Sequence, residues 1–267
     1  MRKYGLPYKG SKSAIADWVI DHLPPGETLV DLFCGGCAVT HAALVSDKWS
    51  HIIANDIHGD VPQLFVDAAS GKYTTQTERR WISREDFFRL KDTDAYVRLC
   101  WSFGNDGKTY MYSREIEPIK KQIHISRLSG AKTTRIETIQ RLQSLERLER
   151  LKRLERLVIS GCDYRDVPIP EDAVIYCDIP YDCTSDNYGV SFDRAAFFDW
   201  ANSQNTPVII SEYNISDDRF TILAETTKRQ LVAGAKHQKR VTERLYVPKR
   251  QLDMIRERLQ MQEKMAI

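Results

Sequence analysis

Residues 28–56 constrain the fold more than any other stretch of the chain. Thr28-Leu29-Val30-Asp31-Leu32-Phe33 reads as a short buried strand and runs into a small-residue loop, Cys34-Gly35-Gly36-Cys37. A helix is expected from about Val39 to Val45, and a second strand, His51-Ile52-Ile53-Ala54-Asn55-Asp56, closes on an acid. Strand, glycine loop, helix, strand, acid is the order of a nucleotide-binding βαβ unit. Glycines after the first strand let the backbone approach a nucleotide closely. An acid closing the second strand can accept hydrogen bonds from ribose hydroxyls.

The rest of the chain repeats this rhythm with one interruption. Ile15, Trp18, Val19, Ile20 and Leu23 have helical spacing over residues 12–23, ended by Pro24-Pro25-Gly26. Further strands are expected at 157–160, 173–177 and 207–211, with a helix over 194–204 between the last two. Residues 240–247 alternate and pair in expectation with 226–232 as a hairpin, and the tail from Lys249 is charged and helical. Residues 66–135, rich in aromatics (Tyr73, Trp81, Tyr96, Trp101, Phe103, Tyr110 and Tyr112), break the pattern and read as an inserted subdomain. Leucines at 142, 145, 148, 151, 154 and 157 step by three. A helix advances about 100° per residue, so each such step drifts by about 60° and six leucines cannot share one face. A charged helix leading into the next strand, with only some leucines buried, is expected.

Composition narrows the class. No apolar run approaches the roughly 20 residues of a membrane span, and Met1-Arg2-Lys3-Tyr4-Gly5 carries no apolar signal region. A cytoplasmic protein is expected. Cysteines at 34, 37, 100, 162, 177 and 183 are scattered, as reduced thiols are. Cys34-Gly35-Gly36-Cys37 has C-x-x-C spacing but no second ligand pair and no thioredoxin-like context, so no metal is expected. The net charge of +2 points to no partner; the basic excess between Lys108 and Arg156 suits either a phosphate-facing surface or a solvated helix face.

Chemistry enters with Asp178-Ile179-Pro180-Tyr181, directly after an apolar run. The exocyclic amine of adenine is a poor nucleophile because its lone pair is delocalised into the ring. A carboxylate and a backbone carbonyl, here Asp178 and Ile179, can hold both N–H groups and free that lone pair. Pro180 stiffens the turn, and the Tyr181 ring can stack a base that has left the duplex. The chain has neither G-x-G-x-x-G nor a P-loop. That lowers the odds of a dinucleotide or ATP and leaves S-adenosylmethionine as the leading ligand.

Tyr8-Lys9-Gly10-Ser11-Lys12, Asp31 to Gly36, Asp56, Asp163-Tyr164 and Asp178 to Tyr181 follow one another in an order that resembles the Dam-like, D12 class DNA adenine-N6 methyltransferases, over nearly the whole chain. The resemblance implies an α/β fold, a Rossmann-like methyltransferase with a mostly parallel seven-stranded sheet and helices on both faces. It implies a catalytic domain over 1–65 and 136–267 and a small, mostly helical target-recognition domain over 66–135. Tyr8, Lys12, Asp31, Phe33, Cys34, Gly35, Asp56, Asp163, Tyr164 and Asp178 are then cofactor-binding, and Asp178, Ile179, Pro180 and Tyr181 catalytic. Trp101 to Tyr110 resembles the segment leading into a DNA-reading β-hairpin. Asn105, Lys108, Tyr110, Tyr112 and Arg114 are the candidate base readers, while Lys120 and Lys121 are candidates for phosphate contact. Phe192, Ser211-Glu212-Tyr213 and Thr242 to Tyr246 resemble later, less specific segments. Double-stranded DNA is the expected partner, S-adenosylmethionine without a metal the expected cofactor, a monomer the expected state and a bacterial or phage-infected cell the expected setting. Cys37 stands where the family has the last glycine of its loop, and Ile179 where it has the first proline of its tetrapeptide. The first substitution is expected to crowd the loop; the second is expected to be harmless, because the chemistry uses a carbonyl. Methylation of another amine, such as cytosine N4 or one in RNA, and a catalytically degenerate DNA-binding relative are the alternatives.

Overall fold

A computed structural model describes residues 3–132, 134–180, 192–230 and 239–265. Seven strands form one sheet: β1 Thr28–Asp31, β2 His51–Asn55, β3 Leu157–Ser160, β4 Ala173–Cys177, β5 Val208–Glu212, β6 Phe220–Gln230 and β7 Lys239–Pro248. Their order is β3-β2-β1-β4-β5-β7-β6. The pairs from β3 through β5 are parallel, and β7 runs antiparallel between β5 and β6. The expected sheet is therefore present, including the terminal hairpin. Strand order reverses between β1 and β4, and ligands of open α/β sheets bind outside the carboxyl ends of the strands at such a point.

Alternation along the strands divides the core in two. Leu29, Val174, Tyr176, Ile209, Leu245 and Val247 join one apolar cluster. Their neighbours Val30, Ile175, Cys177, Val208, Ile210 and Tyr246 join the other. A period of two along a sheet buried on both faces gives this split. The first face is covered by α1 Ala16–His22, α2 Ala38–Ser46, α3 Asp60–Ala69 and the terminal helix Leu252–Met265, through side chains such as Val19, Ala43, Phe65 and Ile255. The second is covered by the helix Arg194–Ser203, through Phe197, Phe198 and Ala201. Asp193 caps that helix by accepting from the Ala196 amide at 3.0 Å, a contact typically worth about 1 kcal/mol.

Within residues 66–135 the helices are α4 Arg84–Leu90, α5 Ala95–Cys100 and α6 Glu117–Leu128. Ser83 and Asp94 cap the first two. The aromatics pack on one another: Tyr73 stacks on Tyr96 at 4.8 Å, Trp81 meets Trp101 edge-on at 5.1 Å and lies flat on Tyr112 at 5.8 Å. They belong to the same apolar cluster as α2 and α3.

The leucine tract departs from the continuous helix expected of it. Helix α7, Glu137–Glu146, stops early, and 3₁₀ turns follow at Arg147–Arg150 and Leu154–Arg156. A 3₁₀ helix has three residues per turn, so it removes the drift that an α-helix would impose on a three-residue repeat. Leu142, Leu145 and Leu148 are buried, whereas Leu151, Leu154 and Leu157 are half-buried.

Candidate active site

The loop after β1 is tied to its neighbours by backbone bonds. The Leu32 amide donates to the Tyr176 carbonyl at 2.9 Å, and the Cys34 amide to Asn55 at 2.8 Å. Asp31 closes β1 fully inside the protein. Its Oδ2 accepts from the Thr40 amide (3.0 Å) and hydroxyl (2.6 Å), while Oδ1 is buried with no hydrogen-bond partner among the described residues. Burial pushes the Asp31 carboxyl up to about 7, with the charge of Asp178 acting in the same direction. A buried acceptor without a partner is uncommon, and it suits a ligand that brings an N–H or a cation.

Asp56, just past β2, faces the same loop. Its two oxygens accept from the Gly35 and His58 amides, both at 2.9 Å. Burial raises its carboxyl above the usual range. Gly35 and Gly36 are required by close approach. A Cβ at Gly35 would lie 2.9 Å from the Tyr8 ring, and one at Gly36 2.5 Å from the Tyr8 Cβ. Tyr8 therefore lies against the loop. Cys37 adopts φ +57°, the left-handed region that favours glycine, and begins α2. Its thiol is fully buried, 3.8 Å from the Cys34 sulfur and 3.8 Å from the Gly35 carbonyl. The cost of the missing glycine thus falls on the backbone, of order 1–3 kcal/mol for such a conformation.

Across the crevice, Asp178 follows β4. Lys12 donates to its Oδ1 at 2.5 Å and lies 3.8 Å from Glu243 Oε1. The Lys12 and Glu243 side chains are 2% and 0% exposed, against 20% for Asp178. Ser211 donates to Glu243 at 2.8 Å. One ammonium thus bridges two carboxylates, and the more open of the two faces the crevice. The Ile179 side chain is buried in the second core cluster, which is why an aliphatic residue is accommodated there. The Pro180 carbonyl accepts from Arg194 at 2.9 Å, and Arg194 also pairs with Glu212 at 2.9 Å. Tyr181 lies outside the described residues.

An aromatic wall borders the loop. Phe33 lies 5.7 Å from Tyr164, 5.7 Å from Phe192 and 5.6 Å from Phe197, ring centre to ring centre. Asp163 is engaged by Arg165 at 2.8 Å, which holds its carboxyl below the usual range.

The candidate DNA readers divide sharply. Lys108, Arg114 and Lys121 are exposed. Asn105 is half-buried, with φ +58° and its amide donating to the Leu99 carbonyl at 2.8 Å. Lys120 pairs with Glu137 at 3.0 Å. Tyr110 and Tyr112 differ from these: they are 3% and 4% exposed. Their hydroxyls donate to the Ile82 carbonyl and to Thr138 at 2.8 and 3.3 Å, so in this structure both rings are packed in the core and neither presents itself to a base. The segment between them and Trp101 is a tight loop closed by one Ser102–Tyr110 bridge. Phe103, not among the candidate readers, stands 64% exposed on it; an apolar ring inside Trp-Ser-Phe-Gly-Asn was the available signal of an exposed aromatic. Burial would raise the carboxyl of Asp106 on this loop, but bonds from the Thr109 and Lys108 amides, with the charge of Lys9, bring it below its usual range.

Among the described residues, no group of three or more His, Cys, Asp or Glu is placed to hold a metal ion, and no helix is long and apolar enough to cross a membrane. Residues 8–205 match the family described as D12 class N6 adenine-specific DNA methyltransferase. No curated protein matches the chain. A solved structure, a conserved hypothetical protein from Streptococcus pyogenes, is similar at 11% identity with a TM-score of 0.33, covering 90% of this chain and 96% of that one; a likeness this loose carries no argument.

Proposed function

Because the chain belongs to the D12 class N6 adenine-specific DNA methyltransferase family, we propose that it transfers a methyl group from S-adenosylmethionine to adenine N6 within a fixed short site in double-stranded DNA. The observation that supports this best is Asp178 at the carboxyl end of β4, held by Lys12 and facing the glycine loop after β1.

The residues at the crevice fit the methyl donor. Asp56 would accept from the ribose hydroxyls, Gly35 and Gly36 let Tyr8 close on the loop beside the donor, and Phe33 and Tyr164 offer an apolar wall to the adenine. The orphaned Oδ1 of Asp31 would accept from the ammonium of the amino-acid tail. When bound, the donor supplies an electrophilic methyl group on a sulfonium.

Lys12 holds Asp178 Oδ1, and the carboxylate together with the Ile179 carbonyl would accept the two N–H bonds of a flipped adenine. That draws the nitrogen toward a tetrahedral shape and exposes its lone pair. The nitrogen gains the methyl group and sheds one proton to water. The Arg194 bond to Pro180 keeps the turn in place, and the Tyr181 ring would stack on the base. Residues 66–135 form the proposed recognition domain, with Lys108, Arg114, Lys121 and Phe103 as its exposed contacts. Incubating purified protein with methyl-labelled donor and genomic duplex DNA free of N6-methyladenine, then digesting the DNA to nucleosides and locating the label, tests this. Label on adenine that disappears in Asp178→Ala, with DNA binding retained, is expected; label on cytosine alone, or an active Asp178→Ala, rejects it.

A further inference from the structure

A cleft lies at the edge of the sheet opposite the candidate active site. Helix α2 starts at the glycine loop and runs back for nine residues, about 13 Å at 1.5 Å per residue, so its last turn sits near the amino ends of the strands. There a cleft of about 350 Å³ opens between that turn and residues 147–153 of the leucine tract. Leu44, Val45 and Leu151 are its apolar lining, and Arg147, Arg150, Lys152 and Arg153 line it with positive charge. Its one carboxylate, Asp47, is already engaged by both Arg153 and Arg156. Arg147, Arg150 and Lys152 are exposed, and their side chains make no ion pair or hydrogen bond with another described residue.

The local backbone arranges these charges. Arg147 and Arg150 stand three apart on one 3₁₀ turn, where side chains at that spacing eclipse. Two unpaired guanidiniums in line match successive phosphates of a nucleic-acid backbone, which arginine binds in a fork. Arg153 turns the chain at φ +67°, a left-handed conformation costly for a residue with a side chain, and so brings the basic segment back over α2.

We propose that this cleft binds the phosphodiester backbone of a second DNA segment, distinct from the one being methylated. The cleft lies at the last turn of α2, away from the carboxyl edge where Asp31, Asp56 and Asp178 stand. The choice of DNA as the polyanion rests on the proposed function; the excess charge does not. An enzyme holding two segments passes from one to the other without full release.

The test is a capture assay: one duplex immobilised, a second labelled duplex in solution, and the purified protein added. The protein is expected to retain the labelled duplex at 50 mM salt. With three phosphates contacted the salt slope is about −2.7, so capture falls about 40-fold by 200 mM. The Arg147→Glu/Arg150→Glu/Lys152→Glu variant is expected to lose at least tenfold in capture while methylating a short single duplex at the wild-type rate. The milder Arg147→Gln/Arg150→Gln/Lys152→Gln variant gives an intermediate loss and guards against a folding defect. Wild-type protein that methylates but captures no second duplex overturns the cleft while leaving the proposed function intact. Capture unaffected by either variant overturns it as well, since two copies of the protein then do the bridging.

Discussion

Asp31→Asn separates what the buried carboxylate does to stability from what it does for the ligand. Burial raises this carboxyl from 3.8 to about 7. Between those values the folded chain keeps a proton that the unfolded chain has released. The stability it contributes is therefore fully present below the lower value and lost as pH rises toward the upper. A gap of about 3 units at 1.36 kcal/mol each amounts to about 4 kcal/mol. In the variant, the Asn carbonyl takes both donations from Thr40, and its NH₂ occupies the position of Oδ1. Protonated Asp31 places an O–H at that same position, so the two proteins should be equally stable near pH 4. Above it the variant should gain about 1.4 kcal/mol per pH unit and level off near pH 7. Urea unfolding followed by tryptophan fluorescence, repeated at half-unit steps of pH, reads this directly. Titration calorimetry with S-adenosylmethionine at pH 8, where wild-type Asp31 is ionised, should show binding weakened at least tenfold in the same variant, because the orphaned acceptor has become a donor. Parallel pH profiles for the two proteins would refute the assignment of a high carboxyl pKa to Asp31.

Three further perturbations are informative. Glu243→Gln leaves the buried Lys12 with one carboxylate fewer and should cost about 3 kcal/mol in urea unfolding at neutral pH, together with a drop in kcat; an unchanged midpoint contradicts the bridging role drawn from the 3.8 Å contact. Phe103→Ala removes an exposed ring and should leave the thermal midpoint within about 2 °C while weakening specific DNA binding several-fold in fluorescence anisotropy; equal affinity for cognate duplex removes Phe103 from the interface. Leu145→Ala, at a fully buried position, should destabilise by about 2–5 kcal/mol, whereas Leu154→Ala at a half-buried one should cost well under half of that, and equal losses would contradict the uneven burial of the tract.

The parallel sheet was legible because buried strands announce themselves as short apolar runs, and β1, β2, β4 and β5 each lie within one. The hairpin of β6 and β7 was legible from alternation. What could not be read were relations between distant residues. Lys12, Asp178 and Glu243 meet in one buried cluster although no local pattern links them. The orphaned oxygen of Asp31 depends on Thr40 saturating the other one. Tyr110 and Tyr112 sit in a stretch that reads as polar and exposed, and their burial is set by Trp81 and Thr138, which approach from elsewhere in the chain. The leucine tract failed for a different reason: an α-helical period was applied to a segment that takes 3₁₀ turns.

Methylation of DNA in cells that lack adenine methylation is the most direct measurement. The protein is expressed in them, beside Asp178→Ala, and their genomic DNA is sequenced by a method that detects N6-methyladenine. The proposed function predicts modified adenine in one short recurring context with the wild-type protein and none with the variant. Soluble, folded wild-type protein that leaves the DNA unmodified would contradict it.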